Sequence, residues 1–364
     1  MSETVPGKEP DAGTTVAMRE KNSIGVVIPC FRVAAHIQGV IAGIGPEVSR
    51  IYVVDDCCPE NTGDLVETRV TDPRVRVVRH EANKGVGGAV ITGYRQAVTD
   101  GIDVVVKLDG DGQMDPKLIP RFVWPLLSGD ADYTKGNRFY HPEDVSSMPK
   151  VRLFGNSGLS ALAKFSTGYW NLLDPTNGYT AIHTRVVREL PLDKLSERYF
   201  FETDMLFRLN TIGAVVLDIP MTAVYGDEES NLKVRSAAVE FLWKNLRICI
   251  KRILYNYFLR DTSLATFELV GGLGLFLFGI TFGAFSWMAS IHTGIPATSG
   301  TVMLSALPTI LGFQLLLNFL GYDAANVPRV PLIKRVREQE DLPAHEPSGE
   351  LKATPAAPRR RAGA

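Results

Sequence analysis

The sharpest chemical signal in the sequence is Asp109-Gly110-Asp111-Gly112-Gln113. A hard divalent cation prefers oxygen ligands, and two carboxylates two residues apart can reach one such ion while Gly110 lets the backbone turn tightly between them. A diphosphate would supply further oxygens, and the cation would offset the charge that grows as that diphosphate departs. Short acidic motifs also arise by chance, so position in the fold decides. A second acid pair, Asp55-Asp56, stands upstream. An aspartate there can accept from a ribose hydroxyl or a base N–H, with Asp56 the expected contact; the competing reading is a cap on the following helix. Farther on, Asn83-Lys84-Gly85-Val86-Gly87-Gly88-Ala89 opens a predicted helix. Its glycines permit close approach and Lys84 sits near a helix start suited to anions, although the same glycines serve plain packing and lack Walker spacing.

These residues need elements to hold them. Four short β-branched runs precede or adjoin them: Ile24-Gly25-Val26-Val27-Ile28, Ile51-Tyr52-Val53-Val54, Val75-Arg76-Val77-Val78 and Val104-Val105-Val106-Lys107-Leu108. They largely lack alternation, the pattern of strands buried on both faces of a parallel sheet. The intervening stretches 33–44, 62–70 and 85–99 suit right-handed crossover helices. Ligands in such α/β sheets meet the carboxyl ends of the strands. Here those ends read Pro29-Cys30-Phe31, Asp55-Asp56 and Asp109-Gly110-Asp111.

The character changes after residue 264. Runs over 269–291 and 301–322 carry no Lys, Arg, Asp or Glu, and each is long enough to cross a hydrocarbon core of about 30 Å. The connector 290–300 has no Lys or Arg, whereas Lys244, Arg247, Lys251, Arg252 and Arg260 precede the pair and Arg329, Lys334, Arg335 and Arg337 follow it. The positive-inside rule then predicts both flanks in the cytoplasm. Ahead of the first run, 233–260 mixes basic residues with Phe241, Trp243, Ile248, Ile250, Leu254, Tyr255, Tyr257 and Phe258. That mix suits a helix on an anionic membrane surface, or a solvated helix packed on the domain. The formal net charge of -1 gives no bias toward nucleic acid. Cys30, Cys57, Cys58 and Cys249 show no metal spacing and read as reduced thiols. The polar residues 1–22 predict a disordered lead-in without an ordinary secretory signal, and the Pro-, Ala-, Glu- and Arg-rich tail a disordered end.

The ordered set Ile28-Pro29-Cys30-Phe31, Val54-Asp55-Asp56, Asn83-Lys84-Gly85, Asp109-Gly110-Asp111-Gly112-Gln113 and Gly136-Asn137-Arg138 resembles the GT-A glycosyltransferases related to dolichyl-phosphate mannose synthase. It is similar also to bacterial polyprenyl-phosphate glycosyltransferases with a carboxy-terminal membrane hairpin. The resemblance spans about 23–320. It implies a Rossmann-like, mostly parallel sheet with helices on both faces, amphipathic juxtamembrane helices and a two-helix transmembrane hairpin. It implies inverting transfer from a UDP- or GDP-sugar to a polyprenyl phosphate, with Mg2+ or Mn2+ at Asp109, Asp111 and Gln113. The nucleotide-sugar would lie along Pro29, Cys30, Phe31, Asp55, Asp56, Lys84, Gly85, Asp109 and Gly110.

Other roles rest on the resemblance alone. Arg138, Arg152 and Asn156 fall where such enzymes hold the acceptor phosphate; on a helix, Arg152 and Asn156 share a face, and an Arg fork suits phosphate. Asp174-Pro175-Thr176-Asn177-Gly178-Tyr179 resembles the turn beneath the sugar site, and Glu202-Thr203-Asp204 stands where the family has its acidic motif. Two departures appear. Arg32-Val33-Ala34 replaces the Asn-Glu of many relatives, and the basic residue upstream of a Ser-Lys pair is absent, leaving Lys233 as the expected diphosphate contact. The resemblance also allows a homo-oligomer, since relatives with this hairpin can form tetramers. The expected organisation is a lead-in over 1–22, a catalytic domain over 23–232, a juxtamembrane segment over 233–263, a hairpin over 264–323 and a cytoplasmic tail over 324–364. Two other readings remain: a lipid-hydroxyl or polysaccharide acceptor, needing Glu202, Asp204 or Asp174 as base, and a non-catalytic nucleotide-binding scaffold.

Overall fold

A computed structural model of the chain describes residues 22–140, 150–222 and 234–335, without the side chains of 150–154, 156 and 234–238. The expected lead-in, Lys233, the side chains of Arg152 and Asn156, and the tail beyond 335 lie outside the described residues.

Seven strands form one sheet: β1 (Ile24–Cys30), β2 (Arg50–Asp55), β3 (Val75–Arg79), β4 (Val104–Lys107), β5 (Tyr133–Asn137), β6 (Thr180–His183) and β7 (Val216–Pro220). Their order is β3-β2-β1-β4-β6-β5-β7. β6 runs antiparallel to β4 and β5, and every other pairing is parallel. The predicted crossover helices are α1 (Ile37–Gly43), α2 (Thr62–Arg69) and α3 (Gly85–Thr99), joined by α4 (Ile119–Leu127), α5 (Lys150–Thr167), α6 (Thr184–Glu189) and α7 (Phe201–Ile212). α1 starts later than expected because residues 33–36 are used in a tight turn, with His36 N donating to Val33 O. Alternate strand residues feed two cores, as a doubly covered sheet requires. Val26, Ile28, Val53 and Val106 pack with Ile37, Ile119 and Phe122 on one face; Val27, Tyr52, Val54 and Val105 pack with Tyr94, Met205 and Leu206 on the other.

The basic stretch is helical. α8 (Val234–Leu254) runs into a π-helical turn over Tyr255–Arg260. Val239, Leu242, Trp243, Leu246, Ile250 and Leu254 are exposed along it at helical spacing. Two apolar helices follow, α9 (Leu264–Thr293) and α10 (Ser299–Ala325), both long and apolar enough to cross a membrane and only 11% buried over their apolar windows. They pack on each other as an antiparallel hairpin through small residues, as helices do where apolar side chains gain nothing by leaving lipid. A Cβ at Gly279 would lie 2.7 Å from Thr309 N and 2.8 Å from Ser305 O, so only glycine admits this approach. Ser305 Oγ donates to Gly279 O across the pair at 3.0 Å.

After the hairpin the chain returns to the sheet. The fully buried Asp132, just before β5, accepts from Val215 N, Leu332 N and Ile333 N at 2.8, 2.8 and 3.0 Å. Ile333 is itself buried. Asp132→Ala would leave two buried donors and a half-buried one without their acceptor, which costs about 3 kcal/mol or more. The expected result is a lowered unfolding midpoint in detergent, measured against an exposed control such as Leu246→Ala.

Candidate functional site

The carboxyl ends of β1, β2 and β4 meet where the strand order reverses, the place where open α/β sheets hold ligands. The acidic motif begins two residues after β4. Asp109 is 28% exposed, and Asp111 is half-buried in the next turn, its Oδ1 accepting from Gln113 N at 2.9 Å. Met114 Sδ accepts from Asp109 N and fixes the turn. Gly110 is buried, and Gln113 is half-buried beside Asp111.

Beneath Asp109 lies Lys107, whose side chain is 1% exposed. Its ammonium is 3.0 Å from Asp109 Oδ1 and 3.1 Å from Glu202 Oε1, on the first turn of α7. Burial alone would discharge this lysine, but Asp109 and Glu202 outweigh it and hold its pKa above the ordinary value. The turn that precedes β6 closes over the pair: a Cβ at Gly178 would stand 2.5 Å from Lys107 Nζ and 2.7 Å from Asp109 Oδ2.

Lys107 starts a polar row across the sheet. It pairs with Thr180, Thr180 with Lys135, and Lys135 with Asp218. Directly paired residues share a sheet face, so two lysines and an acid line one buried ladder. Lys135 Nζ donates to Asn177 O. Burial depresses its pKa to about 8, against the pull of Glu202, Asp174 and Asp218. Asp218 accepts from Leu173 N at 2.9 Å and Asn137 Nδ2 at 3.1 Å, and burial raises its pKa to about 6.

The other acids are separated by their partners. Asp174 is fully buried and accepts from Arg138 Nε and Nη2 at 2.7 and 3.0 Å and from Asn177 Nδ2 at 3.2 Å. Arg138 is thereby fixed in a two-pronged pair with its side chain 32% exposed. Asp204 accepts from Ser196 N at 2.8 Å and pairs with Arg208, anchoring the segment before α7, while Glu202 alone of that motif faces Lys107.

Asp55 and Asp56 are both buried. Asp55 accepts from Cys58 N at 2.8 Å and Gly63 N at 2.6 Å, bracing the start of α2. Asp56 accepts from Lys84 N, Gly85 N and, through His80 Nδ1, a ring contact at 2.7 Å. The helix that it braces is therefore α3, not the helix next in sequence. Lys84 is exposed at that helix start. Pro29 and Cys30 close β1, and burial pushes the Cys30 thiol up, with Asp55, Cys58 and Asp109 adding to it, so it stays neutral. The four cysteines are free. Phe31 is 43% exposed with the Arg32 guanidinium 5.4 Å from its ring centre. Arg32, Cys57 and Asn61 hold φ of 59°, 53° and 49°, and they are the left-handed non-glycine residues among those described. All three sit in the loops after β1 and β2, where such strain commonly marks a ligand site.

The structure thus gathers Pro29, Cys30, Phe31, Asp55, Asp56, Lys84, Gly85, Asp109, Gly110, Asp111 and Gln113 at one rim, with Arg138 and Asp174 beyond β6. Sequence reasoning passed over Lys107, Lys135 and Asp218. Lys107 was visible as a lone cation inside the apolar run 104–108; the pairing of the others needed the sheet order. Among the described residues no cluster of three His, Cys, Asp or Glu side chains forms a closed metal cage. Two carboxylates and an amide on one open turn still fit a hard cation that takes its remaining oxygens from a diphosphate.

Comparison with known proteins adds independent findings. The profile of glycosyl transferase family 2 matches residues 25–191. The chain is 34% identical over 178 residues to an undecaprenyl-phosphate mannosyltransferase of Micrococcus luteus, covering 48% of this chain and 72% of that protein. It is 26% identical to a UDP-N-acetylglucosamine–dolichyl-phosphate N-acetylglucosaminyltransferase of Methanococcus voltae, over 56% of this chain and 86% of that one. In fold it is similar to glucosyl-3-phosphoglycerate synthase of Mycobacterium tuberculosis crystallised with Mg2+ and UDP, at a TM-score of 0.51 and 19% identity, covering 68% of this chain and 84% of that one.

The ladder makes a pH prediction. The fold retains the Asp218 proton to about pH 6, whereas the unfolded chain releases it near 3.8. The native state therefore binds more protons in that window, and stability falls as pH rises through it, by roughly 2–3 kcal/mol. Asp218→Asn should flatten this part of a stability-against-pH curve measured by denaturant unfolding.

Proposed function

We propose, since the chain belongs to glycosyl transferase family 2, that this glycosyltransferase moves a sugar from a UDP- or GDP-sugar to a polyprenyl phosphate at the cytoplasmic face of a membrane, inverting the anomeric centre. The observation that carries the reading is the pairing, in one chain, of an open acidic turn at the switch point with an apolar hairpin. The relatives' names, which specify undecaprenyl and dolichyl phosphates, support the acceptor class.

Among the described residues, the acids that could act as base near the site already have a cation or N–H partner: Glu202 has Lys107, Asp174 has Arg138, and Asp204 has Ser196 and Arg208. An acceptor that needs deprotonation would find its base engaged. A lipid phosphate is ionised at neutral pH and needs none. Its oxygen would form the new bond to the anomeric carbon as the bond to the β-phosphate oxygen breaks, the electron pair leaving with the nucleoside diphosphate and no proton moving. Asp109, Asp111 and Gln113 would hold Mg2+ or Mn2+, which when bound offsets the charge on the leaving diphosphate. Phe31 and Lys84 are exposed and would meet the nucleobase and the phosphates, Lys233 would add a second diphosphate contact, and Arg138, Arg152 and Asn156 would serve the acceptor phosphate as donors. α8 would lie in the headgroup plane, its exposed apolar stripe turned toward lipid and Arg247 and Lys251 meeting anionic headgroups. The excess of basic residues on both flanks of the hairpin supports a cytoplasmic catalytic domain over 23–232.

The deciding assay offers purified protein a panel of labelled UDP- and GDP-sugars with undecaprenyl phosphate and Mn2+. Label should enter the lipid phase for one of them; label passing only to water or to sugar acceptors would reject the reading. Asp111→Asn should lower turnover on the order of 100-fold with an unchanged circular-dichroism spectrum. Arg152→Ala should raise the acceptor KM several-fold, about the effect of losing one charge-assisted hydrogen bond, and leave the donor KM alone.

A further inference from the structure

A carboxylate near the end of an apolar helix is expensive unless partners are built around it, and that expense usually marks a task. Asp323 follows directly on the charge-free run 301–322 of α10 and is 4% exposed. Four hydrogen bonds converge on it. Arg252 of α8 gives two, Nη1 to Oδ1 at 2.6 Å and Nη2 to Oδ2 at 2.9 Å. Tyr257 OH, in the π-helical turn, donates to Oδ1 at 2.7 Å, and Trp170 Nε1, just after α5, donates to Oδ2 at 2.9 Å.

The cluster reaches farther into α5. Arg252 Nη2 also donates to Phe165 O at 2.9 Å, and Ser166 Oγ pairs with Asn245 of α8 at 2.6 Å. The Phe165 ring stands edge-on to Trp170, and Tyr257 packs edge-on against Phe319 of α10. Gly168 passes so close to the Arg252 guanidinium that a Cβ would lie 2.7 Å from Nη1. The last turn of α5 is therefore held by the juxtamembrane helix, and Trp170, three residues beyond it, by the second apolar helix. A buried ion pair of this kind contributes little net stability over an apolar substitute, because desolvation offsets attraction. What it provides is a fixed geometry.

We propose that Asp323 is a positioning residue for the acceptor side of the reaction: with Arg252, Tyr257 and Trp170 it locks α5 at one height and tilt relative to the hairpin. The consequence for catalysis rests on the polyprenyl-phosphate reading, because α5 carries Arg152 and Asn156 toward its other end. The donor rim at Asp109 belongs to the sheet and does not depend on this lock. Loss of the lock should then penalise use of a lipid held in the bilayer while sparing the nucleotide.

The test uses full-length protein in lipid nanodiscs, with Asp323→Asn, Tyr257→Phe and the charge-retaining Arg252→Lys. Three quantities are read: amide hydrogen exchange over 157–170, the KM for undecaprenyl phosphate, and UDP affinity by calorimetry in Mn2+. Asp323→Asn should speed exchange in α5 and raise the acceptor KM about tenfold, the equivalent of one or two lost interhelical hydrogen bonds, with UDP affinity unchanged. Tyr257→Phe and Arg252→Lys should fall between it and wild type. Parallel loss of UDP affinity in the milder pair would mean a general structural role and overturn the proposal. So would unchanged exchange in α5. If the wild type transfers nothing to undecaprenyl phosphate, the acceptor reading fails by itself, and the exchange data still decide whether Asp323 locks α5.

Discussion

A lysine ammonium buried in the sheet sets the terms for everything around it. Lys107 cannot stay charged in that interior without anions within hydrogen-bonding reach, and it has two, from different parts of the chain. Asp109 ties it to the acidic turn; Glu202 ties it to the first turn of α7. The carboxyl end of β4 and the helix that covers it are thereby fixed to each other, so the rim does not depend on a bound ligand for its shape. The same ammonium dictates the chain passing above it, where only glycine fits at 178. Preorganised charge of this kind needs no rearrangement when a negatively charged substrate arrives.

The pattern of occupied acids has a chemical meaning. Carboxylates that might have served as bases are held by Lys107, Arg138 and backbone N–H groups, so their work is to orient cations and loops. Such a site suits a reaction whose nucleophile comes already ionised and whose difficulty lies in the leaving group. Catalytic labour is then divided in space. On the proposed function, donor handling would belong to the loops after β1, β2 and β4, and acceptor handling to elements that touch the hairpin.

Much of this was legible in the residues. Unbroken β-branched runs announced a doubly covered sheet, and charge-free runs flanked by arginine and lysine announced the hairpin. The acidic turn stood out because a strand end in a parallel sheet is where ligands bind. The structure moved some assignments. Asp55 braces the helix next in sequence, as the competing reading had it for one acid of the pair, and Asp56 braces α3, since Lys84 and Gly85 come to it across the strand order. Glu202 and Asp204 could not be told apart on paper; two residues apart on α7, they face Lys107 and Ser196 respectively. Lys135, Thr180 and Asp218 were invisible as a set because no local period links residues on β5, β6 and β7 that meet only across the sheet. Pairings of that sort are fixed by topology, which a single sequence reveals poorly.

The return of the chain to Asp132 carries a consequence for the hairpin's placement. The Asp132 carboxylate, at the amino end of β5, accepts from Leu332 N and Ile333 N, which leave the ribosome only after both apolar helices. All seven strands precede the hairpin in the chain, whereas these two donors follow it. A displaced hairpin would pull these two donors away and leave the buried Asp132 carboxylate with Val215 N alone, so the position of the apolar helices is felt inside the globular half.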